Sequence, residues 1–81
     1  MAQVDRFDQL HREYVKFCCT LENQHEGLCN FVYKQPLKDL EKKLIEQWNS
    51  KNLTQFVLII NSMRNIWMNG LTKYTQQELL K

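Results

Sequence analysis

Turn-forming residues are scarce in this chain, which has only two glycines and one proline among its 81 residues. A β-sandwich or barrel needs turn residues roughly every 8 to 12 positions, so an all-β fold is disfavoured. The glycines are isolated, so no Gly-rich loop is available to hold a phosphate. No stretch approaches the ~18 apolar residues of a membrane span, and the N-terminal MAQVDRFDQ does not resemble a secretory signal. These absences predict an intracellular protein, cytoplasmic or nuclear, with no cofactor and no membrane contact.

The three cysteines do not have the spacing of a metal site. Cys18 and Cys19 are adjacent, no Cys-x2-Cys occurs, and the remaining candidate ligands are His11, His25 and Cys29. Neighbouring residues on a helix point about 100° apart, so an adjacent pair rarely binds one ion. A cysteine nucleophile would need a thiolate-stabilising site, which nothing in the spacing indicates. The sequence predicts free thiols, no metal, no catalytic residue and no enzymatic activity.

Charge is distributed unevenly along the chain. Residues 1–33 carry three bases and five acids, a net of −2, whereas residues 34–81 carry eight bases and four acids, a net of +4. A basic half favours an acidic partner. The lysines of segment 34–51 also suggest an alternative function, nucleic-acid binding. A recognition helix should offer Arg, Asn or Gln to base edges near its start. The segment after these lysines offers Thr54 and Gln55 there and is otherwise mainly apolar, so nucleic-acid binding is the second hypothesis.

Apolar residues recur at helical spacing over the first half of the chain. A 3–4–3–4 pattern predicts a helix over 4–21, with the apolar residues Phe7, Leu10, Tyr14, Phe17 and Leu21. Gly27 is expected to end that region, and a short helix is expected over 28–34. Pro36 suits the first turn of a helix over 36–49, whose narrow apolar stripe consists of Leu37, Leu40, Leu44 and Trp48.

The second half of the chain carries clear signals for helix ends. Asn52 is a good N-cap and Gly70 a good stop for a helix over 53–69. Thr75 and Glu78 have the spacing of a capping box, which predicts a last helix over 76–81. The chain is therefore expected to be a single all-α domain over 1–81, a compact bundle of four to five helices with short loops and with helix 53–69 in its centre. The expected core consists of Phe7, Leu10, Tyr14, Phe17, Leu40, Leu44, Trp48, Phe56, Ile60 and Trp67.

The segment LTQFVLIINSMRNIWMNG, residues 53–70, is unusually apolar. Its apolar residues span an arc of about 200°, more than a helix needs to sit on a core. In one interpretation this is a central helix wrapped by its neighbours. In the other, Ile59 and Ile66, with Leu58 at the edge, form part of a groove for a partner helix, a short peptide or a second copy in a weak homodimer. Trp67 could line that groove. Arg64 falls inside the apolar arc and either extends its charge to the edge or presents its guanidinium to a carboxylate of the partner.

These observations favour a non-enzymatic protein–protein interaction module, an adaptor or scaffold. The expected partner is another protein that presents an amphipathic helix or short motif, and the neighbouring lysines favour acidic flanks on it. The residues predicted to contact it are Leu58, Ile59, Arg64, Ile66, Trp67, Lys38 and Lys42.

Overall fold

Four helices account for most of the chain in a computed structural model that describes residues 5–33 and 35–79. They are α1 (Arg6–Gln24), α2 (Leu28–Val32), α3 (Gln35–Asn49) and α4 (Leu53–Leu79). No strand occurs within the described ranges, so the all-α prediction is confirmed, with the helix count at the lower of the two expected numbers. No described helix combines the length and the hydrophobicity that a membrane span requires.

The ends of the first helices follow local side-chain chemistry. The Asp5 carboxylate accepts the backbone N–H of Phe7 at 3.0 Å and caps α1. α1 continues to Gln24, beyond the expected end at residue 21, because a polar residue by itself does not stop a helix. Gly27 has a φ of 93°, the left-handed conformation that glycine adopts without strain, and it separates α1 from α2. α2 ends at Val32 rather than at 34. The expected helix start at residue 4, like residue 34, lies outside the described ranges.

α4 is one continuous helix of 27 residues, which corrects the prediction of two helices over 53–69 and 76–81. Gly70 does not end it, because among the described glycines only Gly27 has a positive φ. A Cβ at Gly70 would overlap the Cγ1 atom of Val32, so this glycine permits close contact between α4 and α2. The Thr75 hydroxyl donates to the carbonyl oxygen of Leu71 at 3.0 Å, a bond within a helix rather than a cap. Residues 80 and 81 lie outside the described part of the chain.

α4 is the central element, because it packs against each of the other three helices. α1 and α3 approach each other closely at very few positions. Six residues of the predicted core are buried, and Leu10, Phe17, Leu40 and Trp48 are partly buried against it. Among the residues whose burial the structure describes, the buried side chains are Phe7, Tyr14, Leu21, Leu28, Val32, Leu37, Leu44, Phe56, Ile60, Met63 and Trp67.

Contacts along the helices set their directions. At one end of the molecule the Phe7 ring lies 5.0 Å from Phe56, and at the other end the Tyr74 hydroxyl donates to the carbonyl oxygen of Glu26 at 2.7 Å. α1 and α4 therefore run parallel. Trp48, near the end of α3, lies 6.4 Å from Phe7 and 5.6 Å from Phe56, at the starts of the other two helices. α3 therefore runs antiparallel to both.

Candidate functional site

α1 and α3 leave an apolar groove between them, floored by Met63 and Trp67 of α4. Two adjoining pockets of about 360 and 210 Å³ form this groove and share the residues Tyr14 and Glu41. We call it the α1–α3 groove, and its main lining residues are His11, Tyr14, Val15, Cys18, Cys19, Cys29, Tyr33, Glu41, Leu44, Ile45, Met63 and Trp67. The groove exists because both helices pack on α4 without closing over it.

Exposed apolar side chains border this groove on three elements. Val15 of α1 is 42% exposed, Tyr33 after α2 is 37% exposed and Ile45 of α3 is 58% exposed. Single exposed apolar residues are common on protein surfaces, but neighbouring ones around a concave site are typical of a binding surface. The groove therefore offers both a hollow and an apolar margin to a ligand.

The polar groups of Trp67, Tyr14 and Cys18 at the base of the groove already have partners within the chain. The indole N–H of Trp67 donates to the Tyr14 hydroxyl at 2.9 Å, within the core. Burial is the main reason that the pKa of Tyr14 is raised well above its usual value, and the hydrogen bond to Cys18 is the second reason. Burial also raises the pKa of the Cys18 thiol to about 11. Both groups are therefore neutral at physiological pH, and an apolar ligand would not have to displace water from a charge on the floor.

The two carboxylates of the larger pocket also accept hydrogen bonds from other groups of this chain. Glu22 accepts the backbone N–H groups of Gly27 at 2.9 Å and Cys29 at 2.6 Å, and these bonds lower the pKa of its carboxyl group. Glu41 accepts a hydrogen bond from the Tyr33 hydroxyl, which raises the pKa of Tyr33 to about 12. Both carboxylates thus have a structural role in holding the end of the groove together.

Cys18, Cys19 and Cys29 line the same pocket, and all three are free thiols. Cys19 is exposed, and the other two are half-buried. Within residues 5–33 and 35–79, no group of three or more His, Cys, Asp or Glu side chains is placed to hold a metal ion. The sequence places Cys18 and Cys19 beside the apolar face of α1, but only the fold brings Cys29 of α2 to them.

Two of the residues predicted to contact a partner, Trp67 and Lys38, lie in or beside the groove, and a third, Lys42, lies one helical turn beyond Lys38. Trp67 forms part of its floor and is 3% exposed, so it supports the groove rather than presenting a large surface. Lys38 and Lys42 are exposed on α3. The Lys38 ammonium lies 6.0 Å from the centre of the Tyr33 ring, at the margin of the groove.

The other four predicted residues lie elsewhere on α4. Ile59 and Leu58 line a hollow against α3, and Ile66 lines a second hollow near Leu37. Ile59 and Ile66 are partly buried against the core, whereas Leu58 is 54% exposed. Arg64 lies towards α1, with its guanidinium carbon 5.4 Å from the centre of the Phe17 ring and its buried Nε without a hydrogen-bond partner. The seven residues therefore do not form one surface, and much of the wide apolar arc packs within the chain itself.

Sequence reasoning missed the groove because its two walls belong to different helices. One signal was present in α1, where Val15, Cys18 and Cys19 widen the apolar stripe on one side. On α3, Ile45 is an apolar residue outside the main apolar stripe, to which the preceding Leu44 belongs. Neither feature indicates by itself that the two helices stand apart.

Comparison with protein family models, curated proteins and solved structures finds no match to this chain.

Proposed function

We propose that this protein is a non-enzymatic protein–protein interaction module that holds an amphipathic helix of a partner protein in the α1–α3 groove. The observation that carries the proposal is the open space between α1 and α3, bordered by the exposed side chains of Val15, Tyr33 and Ile45. A partner helix laid there would place its apolar stripe on these residues, which is the helix-in-groove mode of peptide recognition.

A helix suits this groove better than an extended strand. The groove is walled by two helices, and the described part of the chain offers no sheet edge, so an extended peptide would find no backbone partners along the groove. A helix satisfies its own backbone polar groups internally and presents side chains to the groove. The pocket of about 360 Å³ beside Cys18 is large enough for one bulky apolar anchor from that helix. Anchors of this kind supply much of the affinity at such interfaces.

Two other interpretations have weaker support. The surface of α4 around Ile59 and Ile66 is already partly buried against this chain's own core, which lowers the apolar area left for a partner. Nucleic-acid binding through segment 34–51 draws support from the exposed Lys38, Lys42 and Lys43, but acidic residues alternate with these lysines along α3. Both interpretations are outcomes of the experiment below.

Two exposed residues form a matched pair of variants, because Ile45 is 58% exposed and Leu58 is 54% exposed on different faces. A displayed library of amphipathic helices, with one apolar face and random polar positions, is selected against the wild-type protein, Ile45→Asp and Leu58→Asp. We expect the wild type and Leu58→Asp to enrich helices and Ile45→Asp to enrich none. The apolar stripe of a bound helix would bury the carboxylate at position 45 without a partner, which is costly. Circular dichroism checks that each variant is folded.

Failure of the folded wild type to enrich any helix would overturn the proposal. Loss of binding in Leu58→Asp with retention in Ile45→Asp would overturn the groove and assign the site to the outer surface of α4. Binding of wild-type protein to a short duplex oligonucleotide, strongly weakened by salt and lost in a Lys38→Glu, Lys42→Glu variant, would favour the nucleic-acid alternative if no helix is enriched.

A further inference from the structure

α3 carries two exposed lysines one helical turn apart, and the first of them, Lys38, lies at the margin of the groove. Lys38 and Lys42 are both exposed, and Lys38 lies beside the ring of Tyr33, which borders the groove. Residues four apart on a helix lie on the same face, about 5–6 Å from each other. Lys42 therefore lies on the same face of α3 as Lys38, one turn further along the helix.

Lys38 lies over the Tyr33 ring, but no described carboxylate forms an ion pair with either lysine. Across the groove, Arg12 of α1 pairs with Asp8 at 2.9 Å. Glu41, between the two lysines in the sequence, accepts the hydroxyl of Tyr33. Among the residues that the structure describes, neither Lys38 nor Lys42 belongs to an ion pair. The outer face of α3 beside the groove therefore offers two ammonium groups that no described carboxylate pairs with.

We infer that the partner helix carries two carboxylates, four residues apart, along the edge that faces α3, where they pair with Lys38 and Lys42. This inference rests on the proposed function, since it specifies the helix that the groove would bind. Glutamates four residues apart on the partner match the spacing of the two lysines, because both pairs follow the same helical repeat. The acidic edge fixes which side of the partner helix faces α3 and steers its approach more than it adds affinity.

The size of the effect follows from the exposure of the lysines. Exposed ion pairs are individually weak and are screened by salt. We expect replacement of both acidic residues of a selected helix by lysine to weaken binding about tenfold at low salt. The difference should shrink to about twofold at 0.5 M salt, because the Debye length there is only a few ångströms.

The test uses the helix library described above, with the polar edge positions restricted to Glu, Gln and Lys. We expect the wild-type protein to enrich Glu pairs spaced four apart on one edge. A Lys38→Glu, Lys42→Glu variant should enrich Lys pairs instead. The matched control is Lys43→Glu, Lys73→Glu, which makes the same change of charge at exposed lysines lining the two hollows outside the groove. This control should keep the wild-type preference for Glu.

The outcomes separate this inference from the proposed function. If the wild type enriches helices in an Ile45-dependent way but shows no preference among Glu, Gln and Lys, the acidic edge is overturned and the groove remains. If the control variant reverses the preference as strongly as the groove variant, net charge rather than the pair of lysines is responsible, and the inference is overturned. If no helix is enriched at all, both the inference and the proposed function fail.

Discussion

The absence of a side chain at Gly70 sets how closely α2 can lie on α4. A Cβ at this position would overlap Cγ1 of Val32 and lie 3.2 Å from its Cβ atom. Val32 is itself buried, and its β-branched side chain has few alternative rotamers in a helix. The contact therefore depends on the smallest residue at one position and a fixed residue at the other.

We expect Gly70→Ala to destabilise the protein, although alanine is the better helix former. Alanine in place of glycine gains up to about 1 kcal/mol of helix propensity. Overpacking a tight contact costs about 1–3 kcal/mol, and here the clash involves the β-branched Val32. Urea unfolding should therefore show a lower midpoint for Gly70→Ala than for the wild type.

The control for this prediction is the same substitution in a Val32→Ala background. There the overlapping methyl group is absent, so Gly70→Ala should be neutral or stabilising relative to the single Val32→Ala variant. An increase in stability on Gly70→Ala in the wild-type background would contradict the close contact between α2 and α4.

At the scale of elements, α2 depends on its neighbours for its existence. It has five residues, far fewer than the ~12–15 that an isolated helix needs for marginal stability in water. Leu28 and Val32 anchor it in the core. The Glu22 carboxylate of α1 accepts the N–H groups of Gly27 and Cys29, at the start of α2, and so provides a cap from outside the helix.

This cap should make the order of α2 depend on pH. The two N–H groups lower the pKa of Glu22 in the folded protein. Since a lowered folded pKa means that the charged form favours folding, the contribution is present above the unfolded value of about 4.3 and is lost as pH falls through the folded pKa. We expect the amide protons of Gly27 and Cys29 to exchange faster as the pH falls through this range, after correction for intrinsic exchange.

Substitution of Glu22 by glutamine should remove most of this pH dependence, whereas Glu26→Gln, in the same connection, should retain it. The measurement is amide hydrogen exchange by NMR between about pH 2 and pH 6. Equal pH dependence in the wild type and Glu22→Gln would rule out the carboxylate as the group responsible.

At the scale of the whole molecule, one end of the core is built from aromatic rings of three helices. Phe56 of α4 is fully buried, with its ring 5.0 Å from Phe7 of α1 and 5.6 Å from Trp48 of α3. The margins of the groove, in contrast, are exposed and contribute little to this core. Stability and proposed binding therefore depend on different residues.

We expect Phe56→Ala to lower the free energy of unfolding by about 3–5 kcal/mol, since it removes a buried ring at the contact of three helices. Ile45→Asp should change it by less than about 0.5 kcal/mol, as is usual for an exposed site. Chemical denaturation followed by circular dichroism measures both values. A large loss of stability in Ile45→Asp would show that this residue supports the fold.

The spacing of apolar residues and the capping residues predicted most of the helical structure, because a helix is stabilised by contacts between residues three and four apart. The repeat of Phe7, Tyr14 and Leu21 predicted α1, and Asn52 marked the start of α4, where its side chain accepts the N–H of Gln55 at 3.3 Å. Gly70 was interpreted wrongly because a glycine that ends a helix and a glycine that admits a neighbouring helix look the same in sequence. The difference lies in Val32, which is distant along the chain.

By itself the sequence determined that this protein is helical, six of the side chains that its core buries and where most of its helices begin, since these depend on spacing along one segment. Only the tertiary structure decided that α4 is continuous and that α1 and α3 stand apart above Met63 and Trp67. The distance between two helices is set by the packing of all residues between them, and no single segment encodes it. For the same reason the groove, with Ile45 on one wall and Val15 on the other, could not be found from the apolar pattern of either helix.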